Sequence, residues 1–339
     1  MTRWAQAFGV VATASALVAC GSGTSSETAT SPVSSHPIVA APPHDTAPVS
    51  PSHASHPTRQ PASPRPSGRP SARQTPAAVR PTKVLVFLVE NHTLDEMRAQ
   101  MPWTAALADR YGHATTYHAM THPSLPNYLA IAGGSTFGVQ DDKDPSSHPV
   151  TGPSVFGRAL QVGSTARLYA EEMPGTCVTT PAGRYAVKHN PWAYFVDERA
   201  DCDRYDVPLD RLAPDVAAGT LPGAGMVIAD MCNIAHDCPL ATADAWLRRE
   251  VAPVLAGPDF RQGRLVVVIT ADEDDHSGDN RVLTVVATKD MPGHQVVGTP
   301  LTHLSLSRLY AEVLHFAPLR GAAGAPSMAD AFHLDLSAS

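Results

Sequence analysis

The chain has 339 residues, 43% of them hydrophobic, and 32 acidic against 25 basic side chains give a formal net charge of −7. With no long basic block, that balance argues against nucleic acid as a binding partner. No segment beyond the first twenty residues is long and apolar enough to span a bilayer.

Residues 1–20, MTRWAQAFGVVATASALVAC, carry Arg3, an apolar stretch through Val18 and small residues before Cys20. This is the layout of a secretory signal peptide. Leu17-Val18-Ala19-Cys20 resembles the lipobox of bacterial lipoproteins, which implies Cys20 as a lipid-modified anchor; ordinary secretion with cleavage nearby is the alternative. Residues 21–80 are Pro, Ser, Ala, Thr and His with almost no large apolar side chain. They cannot bury enough surface to offset chain entropy, so a disordered tether is expected. Residues 81–339 suffice for one large α/β domain. Four further cysteines are an even number in an exported chain, which favours two disulfides. Three pairings are open; Cys177–Cys202 with Cys232–Cys238 is preferred. A zinc site is disfavoured because no C-x-x-C pair occurs.

Within the domain, KVLVFLVE (83–90), GMVIAD (225–230), RLVVVIT (264–270) and RVLTVVAT (281–288) read as strands. Helical patterns follow Trp103, begin at Ser124 and at Thr242, and close the domain over 304–316. Buried strands alternating with helices predict an α/β fold, a mainly parallel central sheet sandwiched between helices. Such sheets place ligands beyond the carboxyl ends of their strands.

Polar residues stand at those ends. Glu90-Asn91 close the first strand, and Asp272-Glu273 follow the most apolar one. Two acids at the exit of a buried strand would repel and be costly to desolvate unless a divalent cation joined them. Glu90, Asn91, Asp272 and Glu273 are oxygen donors, which suits one hard ion, Ca²⁺, Mg²⁺ or Mn²⁺, with Zn²⁺ as a further option. Asp274, Asp275 and Asp279 read as a solvated turn. Ser124, in THPSLPNYLAI, stands where a helix N-cap belongs, and its hydroxyl there is also well placed to attack phosphorus, with free helix amides favouring an anion. His92, His113, His118 and His122 read as surface or packing residues.

VENHT, HPSLPNYLAI, KHNPWAYF, CNIAHDC, ITADED and THLSLSRL together, in this order over most of 83–316, resemble the bacterial phosphoesterase family of acid phosphatases and phospholipases C. That family belongs to the alkaline phosphatase-like superfamily. The resemblance implies an alkaline phosphatase-like fold, a phosphoesterase catalytic domain over 81–339, Glu90, Asn91, Ser124, Asp272 and Glu273 as metal site and nucleophile, and His189 and His236 as phosphate-pocket and catalytic histidines. His303 is implied as a further phosphate ligand. Glu273 stands where two-zinc relatives carry histidine, so a single metal is expected. Asp230 reads as a buried acid satisfied by backbone donors, with a ligand role as the alternative. The expected activity is hydrolysis of small phosphomonoesters through a phosphoserine, by an exported, lipid-anchored or secreted monomer that meets membrane only through its anchor. Phosphodiesters, including phospholipid head groups, are the first alternative. Sulfate esters are disfavoured for want of a Cys-x-Pro-x-Arg motif. A non-catalytic metal-binding surface module is the reading from another class.

Overall fold

The computed structural model describes residues 79–337. The expected export segment, Cys20 and all but the end of the expected tether lie outside the described residues. Among the described residues ten strands occur in chain order: β1 (Lys83–Val89), β2 (Gly112–Ala114), β3 (Tyr117–His118), β4 (Ala166–Ala170), β5 (Asp206–Pro208), β6 (Ala224–Ile228), β7 (Leu265–Ala271), β8 (Thr284–Ala287), β9 (Gln295–Val297) and β10 (Leu301–Thr302). Eight of them form one sheet in the order β5-β4-β6-β1-β7-β8-β2-β9, while β3 and β10 pair separately.

The sheet is parallel from β5 to β7, and β8 runs against both β7 and β2. The fold expected from the sequence is therefore the fold observed. β7 is buried at all seven positions and β1 at six of seven, which a strand achieves only when both sheet faces are covered. Phe87 meets Trp246 of the helix Leu240–Ala256 edge to face, with centroids 6.3 Å apart. The helix His303–Leu314 also packs on β1, and its Tyr310 hydroxyl donates to the Gly225 carbonyl at 2.6 Å. Gly225 lies so close to β1 that a Cβ would come within 2.6 Å of Leu85 Cδ1. No helix among the described residues is long and apolar enough to cross a membrane.

Both preferred disulfides are present, Cys177–Cys202 and Cys232–Cys238. The first packs beside Asp206, which is fully buried. Burial pushes this carboxyl up to about 8, against the opposing pull of its hydrogen bond from Asn190 and the charge of Arg199. A raised acid favours the folded state below its unfolded pKa, near 3.9 by the usual reference for Asp, and that contribution is lost as pH rises through about 8. Asp206→Asn should therefore lessen the fall in melting temperature between pH 5 and 9; a thermal scan across that range checks it.

Candidate active site

The register that sets Val89 beside Ala271 brings the ends of β1 and β7 together, with the Asp272 amide donating to the Val89 carbonyl at 3.0 Å. Glu90 and Asp272, completely buried, thus leave adjacent strands side by side. Asn91 turns the chain away at φ 57°, and its amide donates to Asp272 Oδ1 at 3.3 Å, as the Glu273 amide does at 2.8 Å.

Ser124 enters from the helix Ser124–Gly133, which Gly134 ends in the left-handed region. A Cβ on Gly134 would meet the Leu319 carbonyl oxygen at 2.3 Å. The expectation that Ser124 is the N-cap is corrected. Pro123 occupies that position without a side-chain bond, and Ser124 is the first helical residue. Its hydroxyl is thereby free to donate to Glu90 Oε1 at 2.9 Å, with Glu273 Oε1 at 3.4 Å. The expected cradle of helix amides is also reduced, because the Leu125 amide is given to Asp142 Oδ1 at 2.9 Å and Pro126 has none.

Side chains that sequence reasoning left out complete the cluster. Lys188 Nζ lies 2.9 Å from Glu90 Oε1, 3.3 Å from Asp142 Oδ2 and 3.4 Å from Ser124 Oγ. Asn127 donates to Glu273 Oε2 at 3.0 Å. His122 bridges Glu273 Oε2 and Asp274 Oδ1, each at 3.2 Å, and stacks on His276. Lys188 and Asn127 lie inside the motifs KHNPWAYF and PSLPNYLAI, so a signal existed. Asp142 sits in a loop with no buried approach, and nothing local marks it.

The three predicted histidines have different surroundings. His189 is completely buried, stacked on Tyr128 at 5.0 Å, with Nε2 2.9 Å from Glu90 Oε2. The contact is too poorly aligned for a hydrogen bond, and both atoms are buried without one, so the ring packs against Glu90 and leaves Oε2 without a donor. His236 is one-third exposed, holds Asp237 at 2.7 Å through Nδ1, and lies 3.9 Å from Glu90 Oε1 through Nε2. Its loop is closed by Cys232–Cys238 and tied to the β1 end by the Glu90 amide on the Ile234 carbonyl. His303 corrects the expectation of a phosphate ligand. Its Nε2 donates to the Asp272 carbonyl at 2.6 Å, so Nδ1 accepts from the Tyr117 hydroxyl at 3.0 Å. Both nitrogens are spent behind the site, and burial lowers its pKa to about 4.

Asp230 accepts from the Cys232 and Asn233 amides at 2.8 Å each, the buried-acid reading. Asp274 departs from the expected solvated turn. It is buried and braces its loop through the His276 and Asn280 amides.

Electrostatically the carboxyls divide. Burial would raise Glu90, but His189, Lys188 and His236 outweigh it and hold the group well below the usual carboxylate range. Burial first, then the charges of Glu90 and Glu273, push Asp272 far up. Burial, Asp142 and Glu90 push Glu273 to about 8. Asp272 Oδ2 and Glu90 Oε2 are buried with no hydrogen-bond donor. Orphaned anionic oxygens of this kind are what a divalent cation satisfies, and a bound cation reverses both upward shifts. Among the described residues, the one set of three Cys, His, Asp or Glu donors gathered within 4.8 Å is Cys177, Cys202 and Asp206. Its cysteines are spent in a disulfide, so it is no metal site. Glu90, Asp272 and Glu273 do not converge as tightly, yet their oxygen-only chemistry and bare lone pairs fit a hard ion.

The architecture is similar to that of solved structures. A protein of the alkaline phosphatase superfamily from Vibrio parahaemolyticus aligns with a TM-score of 0.51 at 9% identity, over 75% of this chain and 72% of that one. The lipoteichoic acid synthase LtaP of Listeria monocytogenes aligns with a TM-score of 0.51 at 9% identity, over 73% and 77%. At such identities the likeness is one of fold. Residues 83–304 match the model of the Phosphoesterase family, and the chain belongs to that family. A phosphatidylinositol-3-phosphatase of Mycobacterium tuberculosis is 34% identical over 185 residues, 54% of this chain and 60% of that protein. A phosphate-repressible acid phosphatase of Penicillium chrysogenum is 29% identical over 191 residues, 53% and 45%. The chain spans about half the length of the curated relatives it matches.

Proposed function

We propose that this chain is an exported, metal-dependent phosphoric ester hydrolase that cleaves phosphomonoesters through a phosphoseryl intermediate. The carrying observation is the Ser124 hydroxyl, buried at the start of a helix and aimed at an anionic Glu90 among the acids of two strand ends. Family membership and relatives named as phosphatases support the reading. Two disulfides favour an oxidising compartment, and residues 1–20 fit export with Cys20 as anchor.

In this mechanism Ser124 Oγ attacks phosphorus and gives its proton toward Glu90 while the bond to the alcohol oxygen breaks. Lys188 holds a phosphoryl oxygen beside the nucleophile as charge builds. His236 delivers a proton from Nε2 to the departing alcohol, with Asp237 fixing the ring through Nδ1. Water then attacks phosphorus and gives a proton to His236 Nε2, while Ser124 Oγ leaves, takes its proton back from Glu90, and inorganic phosphate departs. A divalent ion held by Glu90, Asn91, Asp272 and Glu273 would supply Lewis-acid charge to the phosphoryl and serine oxygens. Lys188→Met should lower kcat/KM on a chromogenic monoester by about 10²-fold, the scale of losing one preorganised donor, and Lys188→Arg should recover part of it. The reading itself is tested by assaying the full chain on a chromogenic monoester and its matching diester, before and after chelation. Chelator-sensitive monoester hydrolysis is expected. Preference for the diester moves the assignment to phosphodiesterase or phospholipase C chemistry, and a folded, metal-loaded protein inert on both overturns it in favour of a binding module.

A further inference from the structure

A cavity of about 430 Å³ opens beside the nucleophile, within the ~300–1,000 Å³ range of small-molecule sites. Lys188 and Asp142 line it, and Lys188 Nζ is 3.4 Å from Ser124 Oγ, so it is continuous with the site. One wall is apolar, built from Tyr185, Ala186, Val187 and Met231. That wall is braced, the Met231 amide donating to the Arg184 carbonyl at 3.0 Å and the Tyr185 hydroxyl to the Val178 carbonyl at 2.8 Å.

The rim carries Asp142, Lys143 and Asp144. Both lysines at the cavity are already paired, Lys143 with Asp141 at 2.9 Å and Lys188 with Glu90 and Asp142. The Asp144 carboxylate accepts from neutral donors, the Ser146 amide at 3.1 Å and hydroxyl at 2.6 Å among them, and no cation pairs with it among the described residues. The rim therefore offers an unbalanced negative charge over an apolar floor.

We infer that this cavity receives the alcohol of the ester and selects a flat, neutral, apolar alcohol over one bearing further phosphate groups. The inference rests on the phosphomonoesterase reading. Apolar contact and the braced wall reward a ring, whereas a second phosphate would face Asp144 with no free cation to meet it.

The test uses the full chain and three substrates: benzyl phosphate, methyl phosphate and an inositol bisphosphate. Wild-type protein should favour benzyl over methyl phosphate by about tenfold in kcat/KM, the scale of a filled apolar pocket. Ala186 has extended backbone (φ −104°, ψ 112°), is half-buried and lines the cavity, so a large side chain there would fill it. Ala186→Trp should erase the benzyl preference. Asp144→Lys should raise the bisphosphate relative to benzyl phosphate by about tenfold. An active enzyme whose preferences move in neither variant overturns the pocket assignment alone. A wild-type protein that hydrolyses none of the three overturns the phosphomonoesterase reading and this inference with it.

Discussion

Ser124→Ala is expected to lower kcat by on the order of 10⁴-fold or more while leaving the fold standing. The first half follows from covalent catalysis, because Oγ is the attacking atom and Glu90, Glu273 and Lys188 all face it. The second follows from what the hydroxyl holds. It donates to Glu90 Oε1, which keeps its contact with Lys188 at 2.9 Å, and only at 3.4 Å to Glu273 Oε1, so the loss bares one weakly held carboxylate oxygen. A hydrogen bond to a charged group is worth about 1.5–3 kcal/mol, a fraction of the ~5–15 kcal/mol that holds a domain folded. Turnover and a thermal melt on the same preparation check both halves. Residual activity within about tenfold of wild type would remove Ser124 from the chemistry, and a collapsed melt would make it structural.

The second large effect concerns the acids. Chelation should abolish turnover and lower the melting temperature of wild-type protein, because Glu90, Asp272 and Glu273 then face one another without a cation. A ligand present at about 100 times its dissociation constant stabilises by roughly 2.7 kcal/mol. Asp272→Asn should likewise lose turnover, by about 10²-fold or more, yet should melt higher than wild type when both are chelated at neutral pH. The amide keeps Oδ1 as acceptor for Asn91 and Glu273 and replaces a buried, donor-less Oδ2 with a donor beside Glu90. It also removes a group whose pKa the fold raises; such an acid contributes stability at low pH that is lost as pH rises. A gain of about 1 kcal/mol moves the melt by roughly 2–4 °C in a domain of this size. Melts with and without chelator decide the matter, and a chelated Asp272→Asn that melts below chelated wild type would contradict the repulsion argument.

Where residues carry their role in their immediate neighbours, the sequence is informative. Glu90 and Asp272 end β-branched runs that can only be central strands, so their placement at the sheet's carboxyl edge is legible from pattern alone. Strand β4 is not: Arg167 interrupts ARLYA, and the tertiary partners that hold it, Asp215 among them, are remote. Strands β2, β5 and β9 span three residues each and show no period. Lys188 comes to Ser124 from the short 3-10 helix Val187–His189 and Asp142 from a loop, a convergence that folding alone creates. His303 fails as a pocket residue for a related reason. Its motif is intact, but complete burial beside Tyr117 turns both ring nitrogens to structural work.

The most direct measurement is to quench turnover of a labelled phosphomonoester by the full, metal-loaded chain and map covalent phosphate by mass spectrometry. Label on the peptide containing Ser124, absent in Ser124→Ala and after chelation, is the predicted result. Rapid turnover with no label on Ser124, under conditions that trap a phosphoseryl enzyme, would contradict the account.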